Sequence, residues 1–142
     1  MNKPAARAVV LAHCAMAQGM IDAVRHIAGV SGDFLVPVSN KGLGPDALAQ
    51  EVAQAVGSEP TIVFTDLQSG SCGFAARRSI QSNPSLVVIC GVNLPMLLEF
   101  VMRREQMPLE ELVPFLLKKG RAGIACSPPA FESNEHRVVS GG

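Results

Sequence analysis

Residues 61–71 read Thr61-Ile62-Val63-Phe64-Thr65-Asp66-Leu67-Gln68-Ser69-Gly70-Ser71, an apolar run followed by a polar turn. The β-branched and aromatic residues of the first half favour a short buried strand. Asp66 closes that strand. Gly70 permits a tight turn, and Ser71 is a plausible N-cap for a helix that runs to about Gln81. The stretch therefore predicts a strand that carries an aspartate into a strand-to-helix turn.

A second unit of the same kind lies at the start of the chain. Residues 7–12 form an apolar strand-like run that His13 closes, and a helical pattern follows over about 14–28. If the two strands are parallel neighbours, His13 and Asp66 emerge at the same edge of the sheet. Neighbouring strands lie about 4.8 Å apart, so the two side chains can form a hydrogen bond. We therefore expect a site at this edge.

The remaining chain continues the alternation of strands and helices. Two more strands are predicted over residues 34–38 and 86–90, the latter buried on both faces because it is continuously apolar. Further helices are predicted over residues 45–56, 95–104 and 108–119, the last of them broken by Gly120. Strands separated by helices predict an α/β protein with an open, doubly wound sheet of four parallel strands. Ligands of such sheets bind at the carboxyl ends of the strands, where we also place Ser39 and Asn93.

Composition excludes several classes of function. The 142 residues are 48% hydrophobic, which is typical of a globular protein, and twelve basic side chains balance twelve acidic ones. Zero net charge, with neither Trp nor Tyr, argues against a nucleic-acid-binding protein. The apolar stretches are short and no signal-peptide pattern is present, so we expect a cytoplasmic protein.

The four cysteines indicate neither a disulfide framework nor a zinc motif. Cys14, Cys72, Cys90 and Cys126 form no C-x-x-C pair, and no histidine stands at zinc-ligand spacing from a pair. We expect free thiols and no metal. Because Cys14 and Cys72 lie in the loops beside His13 and Asp66, a thiol enzyme stays open as a low-ranking alternative.

Gly70 and Ser71 favour an anion site between the two strand ends. The first N–H groups of a helix bind anions, and the Ser71 hydroxyl adds a donor. Asp66 on one nitrogen of His13 would leave the other nitrogen free to attack. The turn lacks the G-x-x-x-x-G-K-[ST] pattern of a P-loop, so a nucleotide is not indicated. His26 and His136 carry no comparable context.

From about Ala8 to Ile124 the chain resembles the IIA (EIIA) domains of the mannose-type sugar phosphotransferase system, the mannose, fructose, sorbose and N-acetylgalactosamine group. The segments that carry the resemblance are Ala12-His13, Gln18-Gly19-Met20, Ile27-Ala28-Gly29, Ile62 to Leu67 with Gly70-Ser71, Gly91 to Glu99 and Gly120 to Ile124. The resemblance implies a phosphotransferase that needs no cofactor or metal. Its active histidine takes a phosphoryl group from the phosphocarrier protein HPr and passes it to an EIIB component, which serves the membrane permease EIIC/EIID.

The resemblance also assigns roles to residues of this chain. His13 would carry the phosphoryl group, Asp66 would orient it, and Gly70 and Ser71 would bind the phosphoryl oxygens. A short antiparallel fifth strand near residues 123–126 would be exchanged between the subunits of a homodimer. Three positions depart from the family pattern: Cys14 replaces a glycine, Ser69 the first glycine of a Gly-Gly-Ser turn, and Cys72 a proline.

Two questions stay open at this point. The same fold could serve as a regulatory module, whose His13 phosphorylation state signals sugar supply to a protein partner. The sequence also does not name the sugar. We expect a phosphocarrier domain over residues 1–126 and a flexible tail or linker over 127–142, with little structure beyond about Pro129.

Overall fold

Strands and helices alternate along residues 4–133, the part of the chain that the computed structural model describes. The strands are β1 (Arg7–Ala12), β2 (Leu35–Ser39), β3 (Thr61–Thr65) and β4 (Val87–Cys90). The helices are α1 (Met16–Ala28), α2 (Pro45–Val56), α3 (Ser71–Ser82), α4 (Leu94–Arg103) and α5 (Leu109–Ala122). The observed boundaries of these strands and helices are close to the predicted ones. None of the helices in residues 4–133 is both long and apolar enough to cross a membrane.

The four strands form one parallel sheet in the order β2-β1-β3-β4, which confirms the predicted α/β architecture. β1 and β3 are the inner strands, and every residue of β3 is buried. The chain leaves β1 toward β2 on one side, and β3 lies on the other. The point where the strand order reverses is therefore between the carboxyl ends of β1 and β3.

Helices cover both faces of the sheet, because alternate residues of each inner strand point to opposite sides. Val10 and Phe64 pack with α1, α4 and α5 in one apolar core. Val9 and Val63 pack with α2 and α3 in the other. The two cores hold β1 and β3 firmly, so the residues that follow these strands start from fixed positions.

β4 is not buried on both faces, contrary to the prediction from its apolar sequence. Only Ile89 is buried among its four residues, whereas Val87, Val88 and Cys90 are half-exposed. The reason is its position at the edge of the sheet, where one side of the strand has no neighbour among residues 4–133. The apolar pattern of a strand cannot distinguish a strand at the edge of a sheet from a central one.

Gly120 does not break α5, which continues to Ala122. A Cβ atom at Gly120 would lie 2.5 Å from Cε of Met96, so the glycine permits α4 and α5 to approach closely. Asn93 joins the same two helices. Its Oδ1 accepts a hydrogen bond from the Met96 N–H (3.0 Å), and its Nδ2 donates to the Gly120 carbonyl (2.9 Å). Asn93 is thus a helix cap within the scaffold.

The segment after α5 differs from the prediction in two ways. Residues 124–126 form no strand within the described chain, so the exchanged strand stays a prediction. Residues Pro129–Glu132 form a 3₁₀ helix, where little structure was expected. The Glu132 carboxylate accepts a hydrogen bond from the Cys126 N–H (2.7 Å), which closes this short segment. The rest of the predicted tail, 134–142, lies outside the described residues, and the domain boundary at residue 126 stays a prediction.

Candidate active site

His13 and Asp66 meet where the strand order reverses. His13 follows β1 and Asp66 follows β3, and β1 and β3 are adjacent parallel strands. Oδ2 of Asp66 lies 2.7 Å from Nδ1 of the imidazole, and it also accepts a hydrogen bond from the His13 backbone N–H (2.9 Å). The predicted pair is therefore in contact, and one carboxylate oxygen holds both the ring and the backbone of His13.

The environment of Asp66 keeps the carboxylate ionised. Burial raises the pKa of Asp66. The hydrogen bonds that His13 donates, the positive charge of a protonated His13 ring and the hydrogen bond from the Leu67 N–H outweigh burial, so the pKa of Asp66 lies below its ordinary value. The side chain is only 6% exposed, whereas that of His13 is 39% exposed. The ionised carboxylate accepts a hydrogen bond from Nδ1–H of the imidazole, so Nε2 of a neutral ring is unprotonated.

Gly70 lies beside this free nitrogen. A Cβ atom at Gly70 would be 3.9 Å from Nε2 and 3.8 Å from Cε1 of His13. The backbone φ is +93°, a conformation that favours glycine. Gly70 is also the N-cap of α3, which corrects the prediction that Ser71 is the cap. Because Gly70 has no side chain to cap α3, the first N–H groups of this helix stay available to an anion.

Gly73 holds the turn in place, a role that the sequence did not indicate. A Cβ atom at this position would lie 2.3 Å from the carbonyl oxygen of Gln68. The turn between β3 and α3 therefore folds back onto the first turn of the helix, where only a glycine leaves room. The one indication in the sequence was the glycine itself, two residues after the predicted helix cap Ser71.

Asn40 connects the three segments of the site and was also missed. Its Oδ1 accepts a hydrogen bond from the Cys14 N–H (3.1 Å), and its Nδ2 donates to Oγ of Ser71 (3.2 Å). Ser39 supports the same loop, since its hydroxyl donates to the Cys14 carbonyl (2.7 Å). Because the Ser71 oxygen accepts from Asn40, its hydroxyl proton can be donated, either to the Cys72 sulfur or to a ligand. The only indication of this role in the sequence is that Asn40 is a polar residue directly after β2.

The two cysteines beside the site differ in environment. Cys14 is exposed and adopts a positive φ of 56°, which is unusual for a residue other than glycine. Cys72 is fully buried in the first turn of α3, with Sγ 3.8 Å from Nδ1 of His13. Burial, together with the charge of Asp66, raises the pKa of Cys72 to about 11. A protonated, buried thiol is a poor nucleophile, which argues against Cys72 in a thiol enzyme.

Large apolar side chains are exposed on the segments that surround His13. Met16 begins α1, Leu67 follows Asp66, and Phe74 lies in the first turn of α3; they are 47%, 53% and 55% exposed. Leu43, in the loop after β2, is 36% exposed. All four lie on elements or loops at the carboxyl edge of the sheet. An apolar surface around a reactive side chain is suited to contact with another protein.

Comparisons with known proteins agree with this architecture. One solved structure with the same fold is the phosphotransferase system component EIIA from Streptococcus agalactiae, which is 21% identical (TM-score 0.79, covering 85% of this chain and 96% of that one). Another is the mannose/sorbose-specific IIA subunit from Enterococcus faecalis, at 24% identity (TM-score 0.72, 88% and 95%). A third is a sigma-54 interaction domain protein from Enterococcus faecalis, at 12% identity (TM-score 0.69, 85% and 94%).

At this level of identity the structures establish the fold, and the family follows from the sequence itself. The comparison with curated protein sequences gave no significant match. The family model described as the PTS system fructose IIA component matches residues 7–117, which is most of the chain and includes both strand ends of the site. The chain therefore belongs to the mannose-type EIIA family of the sugar phosphotransferase system.

Proposed function

We propose that His13 accepts a phosphoryl group from phospho-HPr and passes it to an EIIB component of a mannose-family sugar phosphotransferase system. The observation that carries this proposal is the contact between Nδ1 of His13 and Oδ2 of Asp66 at 2.7 Å. This contact leaves Nε2 as the nucleophile and directs it toward Gly70.

The transfer uses the charge of Asp66. The lone pair of Nε2 attacks phosphorus, a new N–P bond forms, and the bond between phosphorus and the donor atom of HPr breaks with its electron pair returning to HPr. The imidazole ring becomes positively charged because Nδ1 keeps its proton. The ionised Asp66 stabilises this charge at hydrogen-bond distance. The reverse sequence of steps at Nε2 delivers the group to EIIB.

Gly70 and Ser71 bind the phosphoryl oxygens in this proposal. The first N–H groups of α3 and the Ser71 hydroxyl are the donors, and the helix dipole favours the negative charge. Asn40 keeps Ser71 in place. Phosphoryl transfer depends on positioning and electrostatics, so such donors are the main contribution that a protein can make.

Both protein partners would use the same face, because the phosphoryl group enters and leaves through one nitrogen. The exposed Met16, Leu67 and Phe74 supply a contact surface around it. The membrane permease EIIC/EIID would receive the group only indirectly, through EIIB. These partners place the protein in the cytoplasm in our proposal. The choice of sugar belongs to EIIB and the permease.

The open edge of β4 supports the homodimer that the family implies. A groove of about 400 Å³ runs beside this edge and is lined by Ile80, Val88, Ile89, Cys90, Val113 and Leu117, with Gln68 and Arg77. Ile124, in the segment that would be exchanged, is 77% exposed. We propose that residues 123–126 of one subunit pair with β4 of another and cover apolar side chains of both.

Radiolabelled phosphoenolpyruvate, enzyme I and HPr test the proposed transfer. We expect acid-labile label on the wild type and none on His13→Gln, whereas His26→Gln, on the exposed end of α1, serves as the matched control and should be labelled normally. Asp66→Asn should slow labelling by about 100-fold or more, because the charge that orients the ring is lost. An unlabelled wild type, or label that persists in His13→Gln, would contradict the proposal.

A regulatory module is the second candidate. The fold similarity to a sigma-54 interaction domain protein favours it, together with the departures at Cys14, Ser69 and Cys72. Such a module would take phosphate on His13 and report it to a protein partner. Addition of EIIB to the labelled protein distinguishes the two candidates: a phosphocarrier loses its label to EIIB, and a regulatory module retains it.

A further inference from the structure

Three potential metal ligands converge beside the turn after β3. One ligand atom from each of His13, Asp66 and Cys72 lies within 4.8 Å of the other two. Cys72 is fully buried and Asp66 nearly so, whereas His13 is partly exposed. The group, which we refer to as the His13–Asp66–Cys72 cluster, is therefore accessible from solvent on the side of the imidazole.

We propose that the His13–Asp66–Cys72 cluster binds a zinc-like divalent cation, which displaces two protons to solvent, the one on Nδ1 of His13 and the one on the Cys72 thiol. Imidazole, carboxylate and thiolate are the ligands that zinc uses in proteins. A sulfur ligand disfavours magnesium and calcium, which prefer oxygen. Three protein ligands would leave a fourth position of a tetrahedral ion for water.

The distances are close to those that such an ion requires. Zinc bonds of about 2.0–2.3 Å in a tetrahedral site place ligand atoms about 3.3–3.7 Å apart. Sγ of Cys72 already lies 3.8 Å from Nδ1. The separation of 2.7 Å between Nδ1 and Oδ2 would have to increase by about half an ångström, once a cation replaces the proton on Nδ1.

The surroundings hold the ligands in place before any ion arrives. Oδ1 of Asp66 accepts a hydrogen bond from the Leu67 N–H (2.9 Å), and Oδ2 accepts from the His13 N–H. Cys72 is fixed in the first turn of α3. Groups that orient ligands from outside the metal site raise its affinity, commonly by 10- to 100-fold.

The cation would oppose phosphoryl transfer, a consequence that rests on the proposed function. A positive ion on Nδ1 takes the place of the Asp66 hydrogen bond and withdraws electron density from Nε2. It also repels the positive charge that forms on the ring during phosphorylation. We therefore expect the metal-bound protein to accept phosphate much more slowly, and a chelator to restore the rate.

Cobalt and zinc binding to the reduced, metal-free full chain test the site without any transfer assay. Co²⁺ should give the near-ultraviolet charge-transfer band of a cobalt–thiolate bond, with one ion per chain. Zn²⁺ should abolish this band and compete with a chromogenic chelator. Cys72→Ser and Cys72→Ala should lose the band and bind Zn²⁺ more than about 10-fold more weakly, because one ligand is removed. Cys14→Ser, at the exposed neighbouring thiol, is the control and should retain both.

Two outcomes would overturn the site. One is a wild type that shows no cobalt–thiolate band, and the other is Zn²⁺ affinity that is unchanged in both Cys72 variants. Cys72→Ala avoids a buried hydroxyl, and the circular dichroism spectrum of each variant verifies folding. Phosphorylation of the metal-free wild type is measured separately, so failure of the metal site and failure of the proposed transfer give different results.

Discussion

Asp66 Oδ2 accepts two hydrogen bonds from a single residue, His13, and this arrangement determines which ring nitrogen is free. The hydrogen bond between Oδ2 and Nδ1 alone would orient the imidazole. The second hydrogen bond, from the His13 backbone N–H, also fixes the backbone at the end of β1. One carboxylate therefore has two roles: it orients the imidazole ring and it holds the backbone of His13. Loss of its charge should affect both the position of the ring and the stability of the fold.

The stability of Asp66→Asn should depend on pH in a defined way. Since the folded pKa of Asp66 lies below its ordinary value of 3.8, the carboxylate stabilises the fold fully above that value, and this contribution disappears as the pH falls through the folded pKa. At neutral pH we expect Asp66→Asn to lower the free energy of unfolding by about 1–3 kcal/mol. Urea unfolding at several pH values should show the difference from wild type shrinking in acid.

Asp46→Asn is the matched control for this measurement, because the Asp46 side chain is 89% exposed and pairs only with Arg78 among the described contacts. The free energy of unfolding of Asp46→Asn should differ little from that of the wild type at every pH. A difference for Asp66→Asn that stays constant down to the most acidic conditions would show that the charge of Asp66 does not stabilise the fold.

At the scale of elements, apolar runs and their closing residues predicted β1 and β3 with their observed boundaries. The same reasoning was wrong about the cap of α3 and the end of α5. Gly70 is the N-cap of α3 with a positive φ of 93°, and Gly120 lies inside α5 where the helix passes close to Met96. Neither the backbone angle nor the contact between α4 and α5 can be read from local patterns.

Gly73→Ala should disturb the turn that carries Asp66 and Gly70. The added Cβ atom would meet the Gln68 carbonyl, so we expect a loss of about 1–3 kcal/mol in the free energy of unfolding and slower phosphorylation. Gly19→Ala, in the helical interior of α1 with no atom within 4 Å of the new Cβ, should be neutral or stabilising by up to about 1 kcal/mol. Equal stability of the two variants, measured by thermal unfolding, would contradict the close contact.

At the scale of the whole molecule, the strand order brings together residues that no spacing in the sequence connects. His13, Asn40 and Asp66 belong to the loops after three different strands, and only the adjacency of β2, β1 and β3 makes them one site. The prediction of parallel neighbours was enough to place His13 beside Asp66. It could not place Asn40, whose contacts require the positions of the loops, whereas Cys72 was already expected beside Asp66. It also could not identify β4 as the open edge.

Ile124→Asp should weaken the proposed homodimer, because a charge would have to be buried where residues 123–126 cover the apolar groove beside β4. Light scattering over a range of concentrations should show a dimeric wild type and a shift of Ile124→Asp toward monomer. Ile27→Asp, at an exposed position of α1, should leave the mass unchanged. A wild type that is monomeric at every concentration would contradict strand exchange.

In the proposed function, Nε2 of His13 carries the phosphoryl group while Nδ1 stays bonded to Asp66. NMR of the ¹⁵N-histidine-labelled protein, recorded before and after phosphorylation by phosphoenolpyruvate, enzyme I and HPr, identifies the nitrogen that is phosphorylated. We predict one phosphohistidine, with phosphorus coupled to Nε2 of His13 and the proton retained on Nδ1. Phosphorus on Nδ1, on His26 or on His136, or no phosphohistidine at all, would overturn the assignment of Nε2 of His13 as the phosphoryl carrier.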